Sequence, residues 1–393
     1  MWCVNKFGRV VEVSDEVRAK EKIAKGRLRE ATDSEVAEHL ASRPLDSPSS
    51  NAKFSVFYST VRRTPDGYGT SRDILSRELL KNGIELSEHF TSQKVGLLYN
   101  YPYTIQSLRT DVRLIYTMFE STKIPEDFIE PLMSADEVIV PSHFCKEVFA
   151  RDGIQSTVVP LGYDDSVFTL RHRKPLEEGE PFVFVHYDGY NLRKGFKEVF
   201  EAFTQEFGKD PRVKLIIKTV QQQPPIPIIP AAYPNIEVIA GEYTPRQLCD
   251  MLARSHCMVY PSRGEGFGIT PLEAMATGLP TIVPNAHGIS EYFNSTFMLA
   301  VRVEGVCPGL YNRFKGQNVG DMVVCSVEHL RQQMRWVFEN QEAARVMGHN
   351  ASEYVKKYTY AKTAANLARI LDRWERTEVV RKQNGDNLRI ERV

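Results

Sequence analysis

Twice along this chain, short β-branched and aromatic runs alternate with segments of helical period, and that alternation leaves few architectures open. The first series runs KFSVFYST, VGLLYNY, RLIYTMFE, ADEVIVPS and STVVPLG, with TSRDILSRELLKNG and HFCKEVFARDG as helices, each stopped by glycine. The second runs PFVFVHYDG, VKLIIKT, IEVIAGE, CMVYPS and PTIVPN, interleaved with GFKEVFEAFTQEFG, TPRQLCDMLARS and TPLEAMATG. Near-continuous apolar strands separated by helices predict parallel βαβ units whose sheets are covered on both faces. The break between the series falls at Tyr163 to Gly179, where charge, proline and glycine accumulate. The predicted fold is therefore α/β, with two Rossmann-like layers facing each other across a central cleft.

The 393 residues fit that division, because a single core rarely grows beyond roughly 250–300 residues. Residues 1–50 read as a small N-terminal appendage: a short strand pair in VNKFGRVVEV, helices over DEVRAKEKIAKG and Thr32 to Leu40, then the Pro/Ser-rich linker RPLDSPSSNA. The first layer is assigned to 51–165 and the second to 166–358. QQQPPIPIIPAAYP reads as a proline-rich loop, residues from about Arg302 to Met322 as irregular, and VEHLRQQMRWVFENQEAARVMGHNASEYVKKY and TAANLARILDRWER as two helices. The tail, 377–393, reads as charged and mobile. Fifty acids balance fifty bases, which removes any global field for steering onto nucleic acid or anionic membrane. The six cysteines form no C-x-x-C pair, and no apolar stretch reaches the roughly 20 residues of a membrane span. A soluble, cytoplasmic protein with buried free thiols is expected.

Three stretches carry chemistry. In CMVYPSRGEGFGITPLEAMATGLPTIVPN a strand runs into a loop with Gly264, Gly266 and Gly268, and a helix begins at Thr270, with Ile269 just before it among the candidate donor-binding residues. Glycines let a ligand approach the backbone, and a helix N-terminus favours phosphate. Glu265 and Glu273, with seven residues between them, bracket the turn and can both face one cleft. Thr270-Pro271-Leu272-Glu273 fits a capping box equally well, with Thr270 as N-cap. In HYDGYNLRKGFKEVF, Arg193 and Lys194 project from a strand-to-helix turn, where open α/β sheets bind ligands. In TPDGYGTSRD, Gly67 and Gly69 form a loop before a helix capped by Thr70 or Ser71.

In their order these pieces resemble the retaining glycosyltransferases of family 4, which have the GT-B fold. The resemblance covers Lys53 to Arg373 and rests on ADEVIVPSHFCKEVF, VVPLGYD, the RKG turn and the Glu-x7-Glu stretch. It implies that Glu273 binds the donor ribose and that Glu265, with the amides of Gly266, Phe267 and Gly268, holds the transferred sugar. Lys194 with Arg193 would bind the diphosphate, Gly69 would approach the donor, and Tyr243 to Arg246 would lie near the base. Glu120 matches a cleft-facing position on the acceptor side. A C-terminal helix, about 359–376, would cross back to the first layer. One departure is Tyr190, which stands after Gly189 where the family often has arginine; Arg193 is the expected substitute.

The implied reaction moves a sugar from a nucleotide diphosphate donor to an acceptor hydroxyl with retention. The cations and the helix N-terminus would stabilise the leaving oxygen. No D-x-D-like motif stands in a suitable loop, so no metal and no cofactor are expected. The acceptor is left open among a glycan, a lipid, a protein and a modified nucleic-acid base. A catalytically silent nucleotide- or sugar-binding module and a nucleotide-sugar epimerase or hydrolase are the other readings.

Overall fold

The structure is a computed structural model that describes residues 2–5, 10–12, 28–30, 52–60, 67–189, 191–220, 232–309, 311–314, 316–384 and 387–392. It divides into two compact units, Met1–Asn51 and Ala52–Val393. In the smaller unit, β1 (Trp2–Asn5), β2 (Val10–Glu12) and β3 (Leu28–Glu30) form an antiparallel sheet in the order β2-β1-β3. The third strand was not foreseen. The helices expected over 15–26 and 32–40 lie outside the described residues.

The larger unit contains two six-stranded parallel sheets. The first comprises β4 (Phe54–Thr60), β5 (Ile84–Ser87), β6 (Val95–Tyr99), β7 (Val112–Tyr116), β8 (Glu137–Val140) and β9 (Ser156–Val158), ordered β5-β4-β6-β7-β8-β9. The second comprises β10 (Phe182–Asp188), β11 (Val213–Thr219), β12 (Ile236–Ala240), β13 (Cys257–Val259), β14 (Thr281–Pro284) and β15 (Leu299–Val301), ordered β12-β11-β10-β13-β14-β15. Strand order reverses in each sheet, between β4 and β6 and between β10 and β13. Ligands bind open α/β sheets at the carboxyl ends of the strands flanking such a switch point.

The helices follow the apolar period. In α1 (Gly67–Lys81), α2 (Glu126–Met133) and α3 (His143–Arg151) the buried face turns to the first sheet. In α4 (Phe196–Phe207), Phe196, Val199, Phe203 and Phe207 recur at helical spacing and pack on Phe184, Leu215 and Ile217 of the second sheet. The helix stops at Gly208, whose φ is +55°. α5 (Pro245–Ala253) begins with a full capping box between Thr244 and Gln247. α6 (Ile269–Ala276) follows the glycine-rich loop.

Several boundaries differ from the sequence reading. The stretch 302–322 is not irregular throughout: β16 (Val303–Pro308) and β17 (Asp321–Cys325) pair as an antiparallel hairpin. The long helix predicted after it is two helices, α7 (Val327–Glu339) and α8 (Gln341–Tyr354), interrupted at Asn340. The tail is an antiparallel hairpin of β18 (Val379–Asn384) and β19 (Asn387–Arg392). The proline-rich loop over 221–231 lies outside the described residues.

The last long helix, α9 (Tyr360–Arg376), starts from Thr359, whose hydroxyl accepts from the Lys362 amide, and packs against α1 beside the first sheet. The chain thus passes to the second layer after Tyr163 and returns to the first at α9, and these two crossings are bonded to each other. The Tyr163 amide donates to the Tyr358 carbonyl and the Tyr360 amide to the Tyr163 carbonyl, both at 3.1 Å.

Candidate functional site

A cleft of about 690 Å³ opens between the two sheets, at the carboxyl ends of β10 and β13. Its floor is the glycine-rich loop, and the fold ties that loop down by its carbonyls. The carbonyl of Glu265 accepts from the Gly288 amide at 2.8 Å, that of Gly266 from Ser142 Oγ at 2.7 Å, and that of Gly268 from Tyr292 Oη at 2.6 Å. Gly264 is held by Arg193 Nη1 at 2.5 Å. Among the described residues, the amides of Glu265 through Thr270 have no acceptor. Successive unpaired amide donors beside a cleft have the chemistry to meet an anion or an oxygen-bearing ligand. The N-terminus of α6 adds its dipole at the same edge.

Two of the glycines beside the cleft show why no side chain fits there. At Gly195 φ is +78°, and a Cβ would stand 2.4 Å from the Pro261 carbonyl oxygen; that contact lays the RKG turn against the end of β13. A Cβ on Gly264 would meet the Glu120 carbonyl oxygen at 2.3 Å, so the loop abuts the first layer directly.

Beside the loop lies a buried charge cluster. Lys194 Nζ is 2.8 Å from Glu265 Oε1, 2.8 Å from Asp188 Oδ2 and 2.9 Å from Tyr260 Oη. Ser262 Oγ donates to the same Glu265 oxygen at 2.6 Å. Arg193 Nη1 reaches Glu265 Oε2 at 3.2 Å, and its Nη2 is 3.8 Å from Glu120 Oε1. Burial works against the Glu265 charge, but Lys194 and Arg193 overcome it and hold the carboxyl down at about 2. Behind the cluster, burial lowers His186 to about 4, so its neutral ring donates from Nδ1 to the Val259 carbonyl and stacks on Tyr260.

Glu273 behaves oppositely. The carboxyl is half-buried in α6, where Tyr187 Oη donates to Oε2 at 2.6 Å, and among the described residues no cation pairs with it. Burial, aided by Asp188 and Asp164, raises it to about 8 against the opposing Tyr187 bond. The capping-box alternative is corrected here: α6 starts one residue earlier, at Ile269, behind a left-handed Gly268, and carries no side-chain cap. Thr270 is already helical, with its hydroxyl 3.4 Å from Asp188 Oδ2.

Of the residues singled out in the sequence, Glu120, Arg193, Lys194, Tyr243, Glu265, Gly266, Phe267, Gly268, Ile269, Thr270 and Glu273 all line the cleft. Arg246 is instead exposed on α5 and faces Asp250 at 3.5 Å. Gly69 stands in the first turn of α1 rather than in a loop before it, and Ser71, two residues on, lines the cleft and bonds Tyr360. Tyr190 lies outside the described residues. The sequence reading passed over Asp188, Tyr187, Tyr260 and Ser262. Their signal was present, since HYDG and VYPS end two apolar strands, but only the adjacency of β10 and β13 makes them neighbours.

With this geometry in hand, the comparisons with known proteins can be stated. Residues 168–305 match the family model described as glycosyl transferases group 1, so the second layer carries a domain of that type. Among solved structures, sucrose-phosphate synthase from Thermosynechococcus elongatus superposes with a TM-score of 0.62 at 16% identity, over 81% of this chain and 98% of that one. Anabaena HepE, solved in complex with UDP and glucose, gives 0.54 at 14% identity, over 81% and 99%. The larger unit has the GT-B fold. In sequence the chain is 32% identical over 160 residues to "Putative glycosyltransferase 41" of Sulfolobus islandicus filamentous virus (isolate Iceland/Hveragerdi), covering 40% of this chain and 42% of that protein. It is 43% identical over 54 residues, 14% and 15% of the two chains, to the lipopolysaccharide core biosynthesis mannosyltransferase LpsB of Rhizobium meliloti (strain 1021). The matched stretches thus span less than half the length of these curated relatives.

Among the described residues, no group of three or more His, Cys, Asp or Glu side chains is arranged to hold a metal ion, and no helix is long and apolar enough to cross a membrane.

Proposed function

We propose that the protein is a retaining glycosyltransferase of family 4 that moves a sugar from a nucleoside diphosphate sugar to an acceptor hydroxyl without a metal ion. The observation that carries this reading is the loop Glu265 to Thr270, whose carbonyls are bonded backwards while its amides are left free beside Arg193 and Lys194. A diphosphate laid there would exchange water for two cations and a row of amides. Charge-assisted bonds of that kind are about twice as strong as neutral ones.

In the reaction, the bond from the anomeric carbon to the diphosphate oxygen breaks and negative charge grows on that oxygen. Lys194, Arg193 and the start of α6 stabilise it where it develops. The acceptor oxygen attacks from the face the leaving group vacates, and its proton passes to the departing phosphate. Glu265, ionised and fixed by four partners, holds the transferred sugar, and Glu273 accepts from the ribose hydroxyls. Tyr243 borders the base, beside Lys218, whose Nζ lies 4.5 Å from the tyrosine ring centroid. Glu120 serves the acceptor side. The two layers correspond to 51–165, with the crossing helix, for the acceptor, and 166–358 for the donor. Free thiols at Cys145, Cys249, Cys257, Cys307 and Cys325 support a reducing, cytoplasmic setting.

The test is thermal unfolding of the full chain with a panel of nucleoside diphosphates and their sugar conjugates. Uridine nucleotides come first, because HepE was solved with UDP. A ligand at a hundredfold excess over its Kd adds about 2.7 kcal/mol. A shift with one base that disappears in Lys194→Ala is expected; no shift with any at millimolar ligand overturns the reading. Anomeric NMR of the product decides retention, and turnover in excess chelator decides metal independence.

A further inference from the structure

The segment between β16 and β17 leaves the second layer and enters the first. Phe314 and Val319 are buried in the core formed by Phe119, Phe128 and Ile124. Tyr311 stacks on Phe119 with ring centroids 5.1 Å apart, and its hydroxyl donates to Glu120 Oε2 at 2.9 Å. Between these anchors stands Arg313, exposed and lining the same cleft. Its guanidinium lies over three rings, 4.9 Å from the centroid of Tyr101, 5.1 Å from Tyr103 and 5.9 Å from Phe314.

The other cations lining the cleft are already engaged. Arg193 and Lys194 are paired with carboxylates, and Lys218 Nζ donates to the backbone carbonyls of Thr219, at 2.9 Å, and Gly241. Asp127, the carboxylate beside this shelf, accepts from Tyr103 Oη at 3.0 Å. Among the described residues Arg313 has no carboxylate within ion-pair distance. A guanidinium resting on aromatic faces is fixed in its plane, with its N–H fork available to grip an oxyanion by two parallel bonds.

We propose that Arg313, with Tyr101 and Tyr103, is an acceptor subsite that binds the anionic group of a phosphorylated or carboxylated sugar. The inference rests on the glycosyltransferase reading above and adds the class of acceptor. The second layer supplies Arg313 and the first layer its two tyrosines, with Phe314 anchoring the segment in the first layer's core. Tyr311, Glu120, Arg193 and Glu265 form a chain of contacts from this shelf to the reacting centre.

The experiment is titration calorimetry on the full chain, saturated with the nucleoside diphosphate that stabilises it most. The probes are glucose 6-phosphate, glucuronate, glucose and inorganic phosphate. Wild type should bind one or both anionic sugars in the millimolar range or tighter, with glucose and inorganic phosphate clearly weaker. The tighter of the two anionic probes identifies the anion as phosphate or carboxylate. Arg313→Ala should weaken that binding by about tenfold or more, and Arg313→Lys should restore only part, since an ammonium lacks the fork. The proposal falls if neither anionic sugar binds wild type. It also falls if Arg313→Ala binds them unchanged, or if glucose or inorganic phosphate alone binds as tightly. The nucleoside diphosphate shift, measured on the same proteins, reports separately on the donor site; its absence in wild type would sink the underlying reading instead.

Discussion

Replacing Glu273 by glutamine should stabilise the ligand-free protein while removing its affinity for the donor. Burial raises the Glu273 carboxyl to about 8, from 4.5 in the unfolded chain. Between those two pH values the native state keeps a proton that the unfolded state releases, so stability falls as pH rises. The slope is about 1.4 kcal/mol per pH unit, and the loss at pH 7 is about 3 kcal/mol. Water in the open cleft lowers this to about 1–3 kcal/mol. Glutamine keeps the shape and the bond from Tyr187 but has no proton to release. Urea unfolding at several pH values is the assay. The variant and wild type should be alike near pH 4.5, separate in the variant's favour up to about pH 8, and run parallel above it. A gap independent of pH, or a variant less stable throughout, would mean that the carboxylate is ionised and structural. The nucleoside diphosphate shift should vanish in the same variant if the carboxylate receives the ribose.

Lys194→Ala removes the cation shared by Asp188 and Glu265 and should lower turnover by about 10²–10³-fold, read from initial rates with the stabilising donor. Gly195→Ala forces a side chain into a left-handed backbone and against the Pro261 carbonyl; a loss of about 1–3 kcal/mol in urea unfolding is expected. Phe314→Ala should cost about 3–5 kcal/mol by the same assay, because the ring is part of the first layer's core; a surface-loop phenylalanine would cost far less.

The order of the longer strands and helices was legible because parallel sheets covered on both faces demand uninterrupted apolar runs; the short β5, β15 and α2 carry no such run and were not foreseen. The cleft-lining loop was legible for a related reason: three glycines and two glutamates between a strand and a helix have few conformations in common. Glu273 shows where local reading fails. Threonine, proline and glutamate at capping-box spacing are equally compatible with a cap at Thr270 and with a helix started one residue earlier by a left-handed Gly268, and local propensity separates the two poorly. Packing against Gly288 and Tyr292 decided it. Arg246 was placed near the base only by the resemblance, and the structure sets it exposed on α5, facing Asp250.

By itself, then, the sequence determined the alternation of the longer strands and helices, the two-layer architecture and the residue types in the strand-to-helix turns, because these follow from periodicity and backbone sterics acting over a few residues. Only the tertiary structure decided which charges meet. Asp188, Lys194, Tyr260 and Glu265 come from two strand ends about seventy positions apart, brought together by the β10–β13 pairing. The placement of Arg313 on tyrosines of the opposite layer depends on Phe314 finding a core more than 180 residues upstream. Electrostatics and aromatic packing act through space, and the distances that set them are fixed only when the layers close on each other.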